Sequence, residues 1–220
     1  MGGFIVAIDP SMGEPLDGAL RIASSVDGLA SGVKVGWGFL LDYGLDGLAS
    51  LRDSYGGLLI ADLKLADIAW VMEGVVERLE GLVDAVIAHA FPGFEGAIDG
   101  LSRRLDSMGV RLILVVSMSH PGSREVIDRN LEALVGVASR AGAWGVVAPA
   151  TRPWIVSRVR ELMPEAKILS PGVGAQGASP GDALCAGADY EIIGRAVTRS
   201  GDPRRALEEA IGQASRRGCM

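Results

Sequence analysis

Lysine is scarce in this chain of 220 residues. Of its 21 basic side chains only Lys34, Lys64 and Lys167 are lysines, and the rest are arginine. Acidic residues number 27, leaving a net charge of −6, which argues against a protein whose main business is binding nucleic acid or an anionic membrane. No apolar run approaches the roughly 20 residues of a membrane helix. The opening MGGFIVAIDP carries no basic segment of the kind that begins a secretory signal. Two cysteines are too few for a disulfide framework. Cys185, in an Ala/Leu context, reads as a small core residue, and a soluble protein of the reducing cytoplasm is expected. There is no H-E-x-x-H, no cysteine cluster and no Walker-type loop, so neither a zinc site nor a P-loop is signalled.

What is present is apolar and periodic. Hydrophobic residues make up 49% of the chain, enough for a sizeable core and too many for disorder. Short apolar runs rich in β-branched residues recur at 4–8, 32–35, 58–63, 85–88, 110–116, 145–148, 167–169 and 190–193. Between them lie stretches with helical spacing, such as 67–82 and 124–141; in the second, Val126, Ile127, Leu131, Leu134, Val135 and Ala138 form one stripe. Continuous apolar strands alternating with helices imply a parallel sheet covered by helices. Eight such units predict an α/β (β/α)8 TIM barrel, with a doubly wound open sheet as the alternative. No composition shift or linker divides the chain, so residues 1–220 read as one domain. The pairs Arg103/Arg104, Arg204/Arg205 and Arg216/Arg217 fall in helical stretches and read as solvated faces.

A parallel barrel carries its active site at the C-terminal ends of its strands. The polar residues there are Asp9 after the first strand, Lys34 at the end of the second, and Asp62-x-Lys64-x-x-Asp67 at the end of the third. His89 ends the fourth, and Ser119-His120-Pro121-Gly122 follows the fifth. Strand residues two apart share a face, so Asp62 and Lys64 should point together into the mouth. A lysine flanked by carboxylates stays charged and can act as a general acid, and a carboxylate close to an anionic substrate group can destabilise it. The plainer reading is a buried ion pair, with Asp67 capping the next helix. His89 and His120 lie in Pro/Gly turns and suit either proton transfer or loop hydrogen bonding. A Mg²⁺ site from Asp9, Asp62 and Asp67 is conceivable but not signalled, and Ser119 lacks the G-x-S-x-G elbow of a nucleophile.

The run Gly172-Val173-Gly174-Ala175-Gln176-Gly177 fits G-x-G-x-x-G, with Glu191 at about the distance of a ribose-binding acid. It comes late in the chain, however, and Glu191 falls within a predicted strand. Loops after the seventh and eighth strands of barrels often bind phosphate. The run therefore reads better as a phosphate loop, with Gly194-Arg195 as its second half and Ser179-Pro180 opening the helix beyond.

Taken in order, Asp9, Val33-Lys34-Val35-Gly36, Ala61-Asp62-Leu63-Lys64-Leu65-Ala66-Asp67-Ile68, Met118-Ser119-His120-Pro121-Gly122, Pro171 to Gly177 and Gly194-Arg195 resemble the short, archaeal-type orotidine 5′-monophosphate decarboxylases. D-x-K-x-x-D alone is shared with other sugar-phosphate enzymes of that superfamily; the Ser-His-Pro-Gly and Pro-Gly-Val-Gly-Ala-Gln-Gly segments are more specific. The resemblance implies a cytoplasmic, homodimeric barrel that converts orotidine 5′-monophosphate to uridine 5′-monophosphate and CO₂, with no cofactor and no metal. It implies that Lys64 protonates C6, that Asp62 presses on the substrate carboxylate, and that Lys34 and Asp9 reach the ribose. Asp67 and Ile68 would enter the neighbouring subunit's site. Ser119 would bind the pyrimidine, and Pro171, Gly172, Gln176, Gly194 and Arg195 would hold the phosphate end. The chain departs from the pattern at Val71, where the family often has a threonine that contacts the ribose.

Overall fold

The computed structural model describes residues 2–219. Eight parallel strands close into a barrel in sequence order: β1 (Gly3–Ala7), β2 (Gly32–Gly36), β3 (Leu58–Leu65), β4 (Ala85–His89), β5 (Arg111–Val115), β6 (Gly145–Val147), β7 (Lys167–Val173) and β8 (Tyr190–Ile193), with β8 pairing back onto β1. All eight apolar runs of the sequence are strands, and the open-sheet alternative is excluded by that closure. The helices are α1 (Leu16–Val26), α2 (Trp37–Ser54), α3 (Ala69–Val76), α4 (Asp99–Ser107), α5 (Leu131–Arg140), α6 (Pro153–Leu162), α7 (Asp182–Cys185), α8 (Arg195–Thr198) and α9 (Pro203–Arg216).

The period-2 alternation of each strand divides two cores. Ile5, Ile60, Ile87, Ile113, Val147, Leu169 and Ile192 fill the barrel, and Phe4, Val6, Val33, Leu59, Val86 and Ile168 pack outward under the helices. Two ladders slip at their upper ends. The β3–β4 register passes from Asp62↔Ile87 to Leu65↔Ala88, and β7–β8 from Pro171↔Ile192 to Val173↔Ile193. Both slips lie at the mouth, where bulges re-aim side chains.

Several helix boundaries differ from the periodicity. Residues 124–141 are not one helix. The segment begins with 3-10 turns at Pro121–Arg124 and Asp128–Asn130, and α5 starts only at Leu131. Asp128 is pulled inward by accepting the hydroxyls of both Ser117 and Ser123, which holds this stretch in short turns and leaves Val126 exposed. The helix after β3 has Ile68, not Asp67, at its N-cap and ends at Val76, followed by a 3-10 turn. Ser179-Pro180 does not open a helix either: α7 begins at Asp182, whose carboxylate accepts the Ser179 N–H at 2.7 Å. Of the paired arginines, Arg103, Arg204 and Arg205 make ion pairs within their own helices, Arg104 pairs with Glu77, and Arg217 reaches Asp182.

Cysteine corrects the sequence reading. Cys185 is exposed rather than a core residue, and it is bonded to Cys219, 34 positions away. The bond ties the segment after α9 to the end of α7. Closing a chain separation of 34 residues removes loop entropy from the unfolded state worth about 4 kcal/mol in the chain-entropy account. Cys219→Ser is therefore expected to lower Tm by roughly 10 °C. Thiol titration of the denatured wild type should find free thiols only after reduction. Two thiols titrating before reduction, or an unchanged Tm in the variant, would show that the bond does not form.

Candidate active site

The C-terminal mouth of the barrel opens into a cavity of about 720 Å³. The ends of β1, β2 and β3 bring Asp9, Lys34, Asp62 and Lys64 to one wall. The loop after β5 brings Ser119 and His120, and the ends of β7 and β8 bring Pro171, Gly172, Gln176, Gly194 and Arg195 to another. Residues spread over most of the chain thus meet because each stands at the same end of a parallel strand.

The first wall is a chain of charges. Asp62 lies between two lysines, with Lys34 Nζ at 2.9 Å and Lys64 Nζ at 2.7 and 2.8 Å from its two oxygens. The Asp62 and Lys34 side chains are each 9% exposed, whereas Lys64 is 39% exposed and faces the cavity. The ion pair that a plain structural reading expects is present, but it opens onto the cavity rather than being sealed in the core. Burial pushes the Asp62 carboxyl up, yet the charges and hydrogen bonds of Lys34 and Lys64 outweigh that and hold it below its usual range. Burial pulls the Lys34 ammonium down, and Asp62 and Asp9 together raise it above its ordinary value. Asp62 and Lys34 therefore both stay charged at neutral pH.

The opposite wall is built from backbone. After Pro171 the chain turns back on itself: the Gly174 N–H donates to Ala178 O at 2.8 Å and the Ala178 N–H to Gly172 O at 3.2 Å. Gly172 is required by both conformation and space. Its φ is 117°, and a Cβ there would stand 2.9 Å from Thr151 Cγ2. Ala175 and Gln176 are exposed at the loop tip and line the cavity. Across from them Arg195 begins α8, whose first turn closes on the Gly194 carbonyl through the Val197 and Thr198 N–H groups, and the Arg195 side chain lines the cavity. Backbone donors, an amide and a guanidinium make this wall suited to an anion such as phosphate. Glu191, the ribose-binding acid of the dinucleotide reading, is fully buried in β8 and accepts the N–H groups of Gly181, Ala183 and Leu184. It has no access to a ligand, so that reading fails.

Two features of the site lie outside the strand-end residues that the sequence singles out. One is a buried network beneath the Ser119 loop. Arg152, 4% exposed, pairs with Asp128 at 3.2 Å and donates to Ser117 Oγ and Met118 O. Ser123 Oγ accepts the Met118 N–H, and Thr151 Oγ1 donates to Ser119 O at 3.4 Å, so the loop is held on both sides. The available signal was the end of β6, which runs on into Ala148-Pro149-Ala150-Thr151-Arg152. The other is Trp37, directly after β2, which lines the cavity and donates its indole N–H to Leu63 O at 2.8 Å.

Three sequence candidates, Asp67, Ile68 and His89, do not line the cavity of this chain, and neither does Val71. Asp67, Ile68 and Val71 are exposed. His89 is half-buried against Phe91, with ring centroids 4.9 Å apart; burial and then the Lys64 charge hold its imidazole below the usual value, so it is neutral at pH 7. Asp9, Asp62 and Asp67 do not form a metal site, and among the described residues no group of three His, Cys, Asp or Glu side chains does.

The lowered Asp62 carboxyl contributes stability that is present at neutral pH and disappears as the pH falls through its folded-state value. The raised Lys34 ammonium contributes below its ordinary value of 10.5 and loses that contribution as the pH rises past its folded-state value. Asp62→Asn is therefore expected to melt several degrees below wild type at pH 7, with the gap narrowing below about pH 4. A gap of the same size at pH 7 and pH 3 would refute this electrostatic account.

Comparison with known proteins places this geometry. Residues 3–210 match the family described as Orotidine 5′-phosphate decarboxylase / HUMPS. The chain is similar to the orotidine 5′-phosphate decarboxylase of Aeropyrum pernix, being 54% identical over 206 residues that cover 92% of this chain and 84% of that protein. Among solved structures, it resembles the orotidine 5′-monophosphate decarboxylase of Metallosphaera sedula at a TM-score of 0.86 and 43% identity, covering 98% of this chain and 99% of that one. It resembles the Methanocaldococcus jannaschii enzyme complexed with the inhibitor BMP at a TM-score of 0.88 and 29% identity, covering 95% and 96%. With its fold and nearly its whole length matched, the chain belongs to the orotidine 5′-phosphate decarboxylase / HUMPS family.

Proposed function

We infer that the chain decarboxylates orotidine 5′-monophosphate to uridine 5′-monophosphate and CO₂, the last step of pyrimidine nucleotide synthesis. The observation that carries this reading is one cavity with the Lys34–Asp62–Lys64 charge chain on one wall and the Gly172–Gly177 loop with Arg195 on the other. A nucleoside monophosphate has its base and its phosphate at opposite ends and fits that polarity.

In this mechanism the Gln176 amide, the Arg195 guanidinium and the backbone N–H groups of Gly172 and Gly194 hold the phosphate, far from the reacting carbon, with Pro171 shaping that end of the cavity. The binding energy of that remote group is available to bring the substrate carboxylate against Asp62. Ser119 hydrogen-bonds the pyrimidine, while Asp9 and Lys34 take the ribose hydroxyls. As the C6–carboxylate bond breaks, its electron pair remains on C6. Lys64, already charged and fixed on Asp62, stabilises that pair and then donates a proton to it, to be reprotonated later from water. Fixed charges aimed at a developing carbanion need no reorganisation during the reaction. The reading uses no cofactor and no metal.

The ultraviolet assay for loss of orotidine 5′-monophosphate tests it. Turnover is expected to persist in EDTA, and Lys64→Ala should lose more than about 10⁴-fold in kcat, since both the proton and the preorganised charge are removed. A metal requirement, or unchanged turnover in Lys64→Ala, would overturn the assignment.

The same reading makes the enzyme a cytoplasmic homodimer, with each chain acting as one barrel domain. No described helix is long and apolar enough to cross a membrane. Neither cysteine of the Cys185–Cys219 bond lines the cavity, so a reducing compartment that opened the bond would not remove a site residue. Dimerisation is supported by apolar side chains left uncovered on the segments that follow β2 and β3, two neighbouring strands: Trp37, Leu41, Ile68, Trp70 and Val71, with Ile68 59% and Trp70 79% exposed. A second copy seated there would cover them and bring its Asp67 and Ile68 to this chain's cavity. Val71 then replaces a hydroxyl near the ribose, a loss worth about 1 kcal/mol in binding. Mixing Lys64→Ala with Asp67→Ala protein tests the shared site. Subunit exchange should restore roughly a quarter of wild-type activity in a statistical mixture, where half the dimers carry one intact site. No recovery despite demonstrated exchange would place Asp67 in its own subunit's site.

A further inference from the structure

Lys64 holds an unusual backbone position. Its φ is 45°, the only positive value of a non-glycine residue among those described. A left-handed lysine persists only where its surroundings fix it, and such positions concentrate at functional sites. The ladder does not fix this one. Pairing with β2 ends at Gly36↔Asp62, and pairing with β4 jumps from Asp62↔Ile87 to Leu65↔Ala88. Leu63 and Lys64 therefore lie in a bulge with no register partner on either side.

The Leu63 carbonyl, one end of the peptide that leads into Lys64, is instead taken by the indole N–H of Trp37 at 2.8 Å. Trp37 is positioned for this by β2 itself, because it directly follows Gly36, the residue paired with Asp62. Its ring lines the cavity and is 48% exposed in the single chain, so the bond is made at the rim, beside the face that a second copy would cover, rather than in the core. Held this way, the peptide turns the Lys64 side chain back onto the Asp62 carboxylate two residues earlier, at 2.7 and 2.8 Å.

We propose that Trp37 is a positioning residue for the reaction: its indole N–H replaces the missing ladder donor, fixes the Leu63–Lys64 peptide, and so aims the Lys64 ammonium. The proposal rests on Lys64 being the proton donor. Without the N–H the peptide can rotate toward an ordinary extended conformation, and the ammonium leaves its place over the reacting carbon. Displacement of a reacting group by about 1 Å can cost on the order of 100-fold in rate.

The test is Trp37→Phe, which keeps an aromatic ring in the wall and deletes only the donor end. Expected is a fall in kcat of about tenfold or more with KM changed less than about threefold, because the phosphate and ribose contacts are untouched. In a Lys64→Ala background the same substitution should change the residual rate by less than about twofold, since a residue that acts only through Lys64 is silent once the lysine is gone. Unchanged kcat in Trp37→Phe, or an equal loss in both backgrounds, would overturn the proposal; the second result would mean that Trp37 acts on the substrate directly. If Lys64→Ala itself retained full activity, the proton-donor reading would fail instead, and the two failures are distinguishable. A measurement on the wild type guards against a variant that does not fold. The ¹⁵N-labelled indole N–H of Trp37 should exchange with solvent far more slowly than that of Trp154, which is 64% exposed. Equal exchange rates would remove the hydrogen bond on which the proposal stands.

Discussion

Two ammonium groups share one carboxylate at the mouth of the barrel. Asp62 accepts both Lys34 and Lys64 within 3 Å while almost fully shielded from water. Without the carboxylate, two cations would face each other in a poorly solvated space; without the lysines, a buried carboxylate would take up a proton. Each charge is tenable because the others are present. The arrangement needs strand ends brought side by side in register, so the closed barrel is the condition for the charge chain. The slip in the β3–β4 ladder is the condition for Lys64 to fold back onto Asp62.

The cavity is divided along the same lines. Charged side chains on rigid strand ends form the wall where chemistry is proposed. Backbone of a glycine-rich loop forms the wall that suits a phosphate, with Gly172 at a φ closed to other residues and against Thr151. Side chains on strands keep fixed positions, whereas a loop tip such as Ala175-Gln176 is free to adjust around a ligand. Between them the Ser119 loop is neither strand nor free loop. It is held from below by Arg152, Asp128 and Ser123, whose hydrogen bonds take over the work that a regular helix would do at this place.

The eight strands were legible because a fully buried parallel strand is a short apolar run, and nothing else in the chain imitates it. Most of the cavity lining was legible for a related reason: a parallel barrel gathers its strand-end side chains at one mouth, so the order Asp9, Lys34, Asp62, Lys64, Gln176, Arg195 could be read without knowing any distance. Helix boundaries were less legible. Periodicity in 124–141 counted Val126 as apolar stripe, while the inward pull on Ser123 and Asp128 depends on Arg152, which is distant in sequence. Cys185 looked like core because its neighbours are apolar, and a four-residue helix exposes one side regardless of them.

The sequence by itself determined the fold class, the polarity of the barrel and the identity of the charged groups at its mouth, since these follow from local alternation and strand-end position. It also placed lysine, whose ammonium can give up a proton, at two strand ends in a chain that otherwise favours arginine. Only the tertiary structure decided how those groups act on one another: that Asp62 joins both lysines, that Lys64 is left-handed under the Trp37 N–H, that Arg152 is buried beneath the Ser119 loop, and that Cys185 meets Cys219. Each of these is a contact between separate segments or a backbone angle that such contacts impose. No local pattern encodes them, because their energies exist only once the barrel has closed.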